Sequence, residues 1–359
     1  MRRSFSIVLS VALKIASGKY ITVHDADDWS HPQKIEIQAE HLEANRDVVA
    51  NVSEGARVDE STLQTGIVGR THILRANFSS LMFRREPVES ALGYWDEVRF
   101  GGDSEFQNRL VSCFGEDAIV TLKTGLVSLL RIVQTSLTAG GIEETLTGAR
   151  RLYRNSFRNW HSYLALSGGS FYLETSKPRR FYAPRQSLGL PQTPVRYDLV
   201  VISDFSMPIV ENPPVLQIIQ DALMANLAIA IAHVPRLDSM STPPAMEVEA
   251  FCLENSIEQL WHAAREIGDD PIFEATELMI AENSLEARYD RIVRIAAKSN
   301  TILCHVDASR TAAHTQKLLN TFKAMFRSEP QFVEFGEDAC RAIAELKANK
   351  EFARFLDQA

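Results

Sequence analysis

Hydrophobic positions along this chain alternate between short β-type runs and stretches at helical spacing. Tyr20-Ile21-Thr22-Val23 is rich in β-branched and aromatic residues and predicts a strand. The run breaks abruptly into His24-Asp25-Ala26-Asp27-Asp28, and by strand alternation His24 is expected to point into a packed face. Ser30 reads as a helix N-cap, with Pro32 in the first turn and Gln33 as capping-box partner. Asn77 to Arg85 predicts another strand, Gly93-Tyr94-Trp95-Asp96 a turn, and Gly101 to Arg109 the opening of a helix. Leu122, Leu126, Leu129, Leu130 and Val133 fall at helical spacing, so the segment from about Ile119 to Trp160 reads as largely helical. Gly140-Gly141 interrupts it, and Ile142–Leu152 and Tyr153–Leu166 read as two further helices.

A different pattern fills the second half. Tyr197 to Asp204 is a continuous apolar run ending in a polar turn, as buried parallel strands are. Val215 to Ala225 predicts a helix, Leu227 to Val234 the next strand, and Thr301 to Val306 a later one. That order makes a right-handed βαβ crossover. Between the halves lie Lys177 to Arg185 and Gly189 to Pro194, rich in Pro and Gly, which read as a linker whose basic residues face solvent. The expected organisation is α/β throughout: a first domain over 1–165, a linker over 166–195, and a Rossmann-like domain over 196–359. Asp204 ends a strand, but Ser206-Met207-Pro208-Ile209 after it contains no glycine to approach a phosphate.

The chemistry concentrates where the first strand ends. Asp25, Asp27 and Asp28 stand at the strand edge where ligands bind in open α/β sheets. Such a cluster repels itself unless a cation or proton neutralises it. A hard divalent ion shared with substrate phosphate oxygens meets that need, and a solvated acidic turn is the plainer reading. Asp103 opens a helix, where a carboxylate is either a base or a cap. Glu105 and Arg109 are four apart and suited to an ion pair. His161 stands beside aromatic residues, as packed histidines do.

The Asp25-Ala26-Asp27-Asp28 spacing resembles the Asp-X-Asp motif of family 2 glycosyltransferases, inverting enzymes of the GT-A fold. Ala12 to Ile21 resembles the small-residue helix and Gly turn before that motif, and Trp29-Ser30-His31-Pro32-Gln33-Lys34-Ile35 its continuation. The resemblance implies a metal site for Mn2+ or Mg2+, with Asp27 as main ligand, Asp25 on the ribose or metal shell, and Asp28 in the same cluster. It implies Asp103 as the base that deprotonates the acceptor, although Gly102 stands where the family usually has Glu. Glu105, Arg109 and His161 are supporting candidates, His161 because some GT-A enzymes direct a late histidine to the metal. The implied donor is a nucleotide-diphospho sugar, a UDP-sugar before others, and the acceptor a saccharide or lipid-linked hydroxyl. The implied process is hexosyl transfer in bacterial surface-polysaccharide synthesis.

The family places a long segment before the motif strand, including the strand that holds the nucleotide base, whereas 24 residues precede Asp25 here. The resemblance thus implies an N-terminally truncated GT-A domain, fused to a Rossmann-like domain that resembles half of GT-B. A catalytically incomplete remnant or scaffold is the alternative to an enzyme.

Bulk properties narrow the class without choosing the chemistry. The 359 residues are 45% hydrophobic and 23% charged, ordinary for globular domains. A net charge of -8 argues against a nucleic-acid partner. Cys113, Cys252, Cys304 and Cys340 lack paired spacing, which speaks against zinc and disulfides and fits a reducing cytoplasm. No segment has the length of a transmembrane span, leaving a cytoplasmic chain or one peripheral to the inner membrane. Met1-Arg2-Arg3-Ser4 and the apolar run after it also resemble a secretory leader, interrupted by Lys14.

Overall fold

The computed structural model describes residues 5–59, 73–132, 148–175, 178–189, 195–234, 244–260, 263–264, 273–286, 291–292, 295–304, 311–326 and 328–358. The chain divides into two compact units. The first comprises Met1–Thr145, Phe157–Arg180 and Ser187–Gly189, and the second Leu146–Ser156, Phe181–Gln186 and Leu190–Ala359.

The first unit begins with α1 (Phe5–Ile15), β1 (Tyr20–Thr22), β2 (Trp29–Ser30), α2 (Lys34–Ala44), β3 (Ala50–Val52), β4 (Glu54–Asp59) and β5 (Arg75–Ala76). A 3-10 turn (Phe78–Ser80) leads into β6 (Met82–Arg84), α3 (Arg85–Leu92), α4 (Gly102–Phe114), β7 (Ile119–Thr121) and β8 (Ser128–Ile132). One sheet has the order β1-β6-β3-β7 and a second the order β2-β8-β4-β5. β1 runs antiparallel to β6 with Ile21 opposite Phe83. Phe83, Trp95, Phe106 and Leu110 form the core beneath, with Leu13 of α1 and Val23 joining them. Trp95 stacks on Phe106 at 4.1 Å between ring centroids. That stack fastens the turn after α3 to α4 through apolar burial. Gly93 adopts φ +66°, and a Cβ there would stand 2.2 Å from the Leu173 carbonyl oxygen, so no larger residue fits this turn.

Four expectations change here. Ser30 lies in β2, opposite Ser128 of β8, and is no helix cap. α2 starts instead after Gln33, which caps with no side-chain bond. Of Asn77 to Arg85, only Met82–Arg84 is strand, because Asn77 Oδ1 accepts the Ser79 N–H and bends the chain into a 3-10 turn. The helix expected through Leu122 to Val133 is a strand at 128–132, where Leu129 pairs with Trp29 and with Ala56. Apolar spacing of 3 or 4 over a short leucine run does not separate helix from buried strand, and pairing on both sides decided it. Gly140-Gly141 and residues 142–147 lie outside the described residues, and from Gly148 one helix α5 (Gly148–Ser167) runs on through the break expected between Leu152 and Tyr153.

The second unit holds a parallel sheet. Its strands are β9 (Val195–Ser203), β10 (Ile229–His233), β11 (Glu258–Leu260), β13 (Phe273–Ala281), β15 (Ile295–Cys304) and β16 (Gln331–Glu334). β12 (Ala263–Ala264) and β14 (Arg291–Ile292) form a separate pair. Helix α6 (Pro213–Met224) lies between β9 and β10, α7 (Met246–Glu254) between β10 and β11, and α8 (Ala312–Phe326) between β15 and β16, with α9 (Glu337–Gln358) after β16. The order β11-β10-β9-β13-β15-β16 is that of a doubly wound sheet, reversing direction at β9. Apolar clusters cover both faces, around Val200, Ile202 and Phe322 on one and Leu199, Val201 and Ile219 on the other. Burial on both faces is why the strands read as unbroken apolar runs. Phe181, Tyr182 and Ala183 are buried, so this part of the Pro-rich stretch packs rather than serving as a solvated spacer.

Candidate functional site

The acidic turn is built by pairing on one side and capping on the other. Val23 is buried and its N–H donates to the Leu81 carbonyl, so the sheet ends one residue before His24. The Asp28 N–H then closes the turn onto the Asp25 carbonyl at 3.1 Å. His24 is exposed, contrary to alternation, and its Nδ1 lies 3.2 Å from the Ser30 hydroxyl. The strand has already ended there, so its two-residue period no longer applies.

Each carboxylate meets a different setting. Asp25 Oδ2 accepts a hydrogen bond from Ser79 Oγ at 2.8 Å. Asp28 Oδ1 accepts the Arg131 N–H at 3.1 Å, while Asp27 is exposed. Burial raises the Asp28 pKa, and the charges of Asp25 and Asp27 add to the rise against that hydrogen bond. Lys34, at the start of α2, is 3% exposed, and burial lowers its pKa while Asp28 and Asp25 oppose the fall. This buried ammonium was missed in the sequence because a lysine in a helical first turn ordinarily lies in solvent.

Asp103 lies in the first turn of α4, whose cap position is Gly101 at φ +84° with no side-chain bond. The cap reading for Asp103 therefore fails. Asp103 is exposed by its residue surface, while enough protein surrounds its carboxyl to weaken hydration of the charge. Burial, with the charge of Asp25 second, pushes its pKa up to about 6. The Asp25 charge therefore reaches Asp103, although the two are far apart in sequence.

Glu105 and Arg109 form an ion pair with both side chains fully buried. Arg109 Nε and Nη2 reach the two carboxylate oxygens at 2.8 and 3.0 Å. The guanidinium also donates to the carbonyls of Leu92, Tyr94 and Phe171. His161 Nε2 sits 3.0 Å from Glu105 Oε1, and Nδ1 is buried without a partner. Burial alone would raise the Glu105 pKa, but Arg109 and His161 together outweigh it and hold it below the ordinary value. His161 is walled by Phe157, Trp160 and Phe171. It is a packed partner of Glu105, and the metal-ligand reading has no support in this geometry.

The residues at the turn suit a hard cation. Asp25, Asp27 and Asp28 share one turn, and Mg2+ or Mn2+ is commonly held by one or two carboxylates together with substrate phosphates. Among the described residues no group of three or more His, Cys, Asp or Glu forms a cage of its own. A shared site of that kind needs fewer protein ligands than a structural one.

Residues 2–87 match the family model named Glycosyl transferase family 2. Over this segment the chain is similar to family 2 glycosyltransferases. The match runs from α1 to the start of α3, so it includes Asp25–Asp28 and Ser79 and ends before Asp103. No curated protein matches the chain. No described helix is long and apolar enough to cross a membrane.

In the second unit, Asp204 follows the last residue of β9 and its Oδ1 accepts from the N–H and the hydroxyl of Ser206. The Phe205 N–H donates to His233 Nδ1 at 2.9 Å, which fixes His233 as the Nε2–H tautomer when neutral. α6 opens with Pro213 and Pro214, which carry no N–H, so its N-terminus offers little to a phosphate.

Proposed function

We propose that the protein is an inverting glycosyltransferase that moves a hexosyl group from a nucleotide-diphospho sugar, a UDP-sugar before others, to a hydroxyl of a saccharide or lipid-linked acceptor. The observation that carries this reading is the family 2 match over residues 2–87, which spans the Asp25–Asp28 turn where Ser79 Oγ donates to Asp25 Oδ2 at 2.8 Å; the Asp25 charge also adds to the rise of the Asp103 pKa to about 6. An acid with that pKa is ionised at neutral pH yet basic enough to take a proton, the property a general base needs. A carboxylate of ordinary pKa would be a weaker base.

Asp25 and Asp27 would hold the divalent cation, with Asp28 beside them. When bound, the cation neutralises charge that develops on the departing nucleoside diphosphate. Asp103 removes the proton of the acceptor hydroxyl as it attacks the anomeric carbon. The bond to the diphosphate oxygen breaks with its electron pair, and a single displacement inverts configuration. Lys34 adds a fixed positive charge behind the carboxylates and limits their mutual repulsion before donor arrives. A role in bacterial surface-polysaccharide synthesis is the process that fits such a transfer.

The test is calorimetric titration of UDP into the full chain with and without Mn2+. Mn2+-dependent binding lost in Asp27→Ala supports the donor site. Absence of binding by a folded sample supports the alternative, a scaffold that retains the carboxylates without the activity.

A further inference from the structure

The 3-10 turn at Phe78–Ser80 touches both halves of the site. Ser79 Oγ donates to Asp25 Oδ2 at 2.8 Å on one side. On the other, Gln107 Nε2 donates to the Phe78 carbonyl at 3.2 Å. Gln107 is one helical turn beyond Asp103 on α4, so both project from neighbouring positions on one face.

The turn is held from below with unusual redundancy. Asn77 Oδ1 accepts the Ser79 N–H, and the Asn77 N–H donates to the Ser53 carbonyl at 2.8 Å. Ser80 is fully buried; its hydroxyl donates to the Asn77 carbonyl and accepts the Ser53 N–H. Gln38 of α2 donates to the Ser80 carbonyl at 2.7 Å and to Asn51 Oδ1 at 3.0 Å. A segment anchored to α2 and to Ser53, the residue between β3 and β4, cannot drift independently of them. Phe78 is nevertheless 55% exposed, so apolar burial of its ring is not what holds this turn in place.

We infer that Ser79 and Gln107 are positioning residues: Ser79 fixes the Asp25 carboxylate in one rotamer, and Gln107 locks the turn that carries Ser79 to the helix that carries Asp103. The inference rests on the proposed donor site. A free aspartate samples several χ1 and χ2 states, and an aspartate holding a cation must occupy one. The Ser79 hydroxyl selects that state through a charge-assisted bond while leaving Oδ1 open. Gln107 then transmits the position of the turn to α4, so the separation of donor carboxylate and base is set by a chain of hydrogen bonds. Tolerances in such sites are well under 1 Å, which loose surface turns do not hold.

The experiment is Mn2+-dependent UDP titration of the full chain in a double-mutant cycle of Ser79→Ala with Asp25→Asn, and of Gln107→Leu with Asp25→Asn. Ser79→Ala is expected to weaken binding about tenfold, the value of one charge-assisted hydrogen bond. Ser79→Thr, which restores the hydroxyl, is expected to return it toward the unsubstituted value. In the Asp25→Asn background the Ser79 and Gln107 effects should largely disappear, which a general loss of folding stability would not produce. Thermal unfolding of each variant reads stability separately. If Ser79→Ala fails to fold, the Ser79→Thr and Gln107→Leu arms decide the matter. Unchanged binding in Ser79→Ala, or effects that simply add to those of Asp25→Asn, overturn the inference while leaving the donor site intact. Failure of the unsubstituted chain to bind overturns the donor site and the inference together.

Discussion

His161 Nε2 stands 3.0 Å from the same Glu105 oxygen that Arg109 Nε holds at 2.8 Å. One interior carboxylate therefore joins the helix that carries Asp103 to α5, while Arg109 carries the network on to the carbonyls of Leu92 and Tyr94. The network lies two residues along α4 from Asp103. Its stiffness bears directly on where the proposed base sits.

Removing one member of this network leaves a charge buried without its partner. Arg109→Met is expected to destabilise the first unit by about 3–5 kcal/mol, the usual cost of breaking a buried pair. Urea denaturation followed by tryptophan fluorescence reads this, since Trp95 lies in the same core. A loss below about 1 kcal/mol, the size of a surface pair, would sink the claim.

The same pair predicts acid lability. Glu105 has a folded pKa below its ordinary 4.5. Its contribution is complete above the unfolded value and is lost as pH falls through the depressed folded value. Unfolding midpoints of the unsubstituted chain should therefore fall steeply below pH 4.5, and those of Glu105→Gln should fall less. Parallel curves for the two would refute the assignment.

Asp103→Asn keeps size and removes the basic group. Transfer is expected to fall by about 10²- to 10⁴-fold, the range of general acid–base contributions, with UDP binding in Mn2+ retained. Radiolabelled sugar transfer measures the first and calorimetry the second. Full transfer by Asp103→Asn would transfer the base role elsewhere.

A base with a pKa of about 6 must be ionised to act. The acid limb of kcat/KM should therefore bend near pH 6 and reach a plateau above it. A limb near the ordinary 3.8 in the unsubstituted chain would contradict the crowded setting described for Asp103.

The second unit offers an independent check on its edge. Tyr182 Oη accepts the Gln259 N–H at 2.9 Å and donates to the Gln259 carbonyl at 3.1 Å. It thereby covers main-chain groups of β11, an end strand among those described. Tyr182→Phe should cost about 1–3 kcal/mol by leaving buried main-chain groups unmatched. Amide exchange at Gln259 should quicken in that variant, and unchanged exchange would show that the hydroxyl is dispensable.

Much of this protein was legible in one dimension. The strand into Asp25–Asp28, the turn at Gly93–Asp96 and the strand–helix–strand order from Tyr197 to Val234 all follow from local propensity and period, and the structure keeps them. The Glu105–Arg109 pair followed from helical spacing alone. What the sequence could not decide depends on residues far apart in the chain. Leu129 and Leu130 became strand because β2 and β4 flank them. His24 turned outward because Leu81 ends the pairing at Val23. Asp103 gained its raised pKa, Asp25 its rotamer-holding serine and Lys34 its burial only when separate segments converged. Local pattern sets which elements form, since it reflects backbone energetics within a few residues. Electrostatic and hydrogen-bond environments sum over neighbours in space, so only the tertiary structure assigns them.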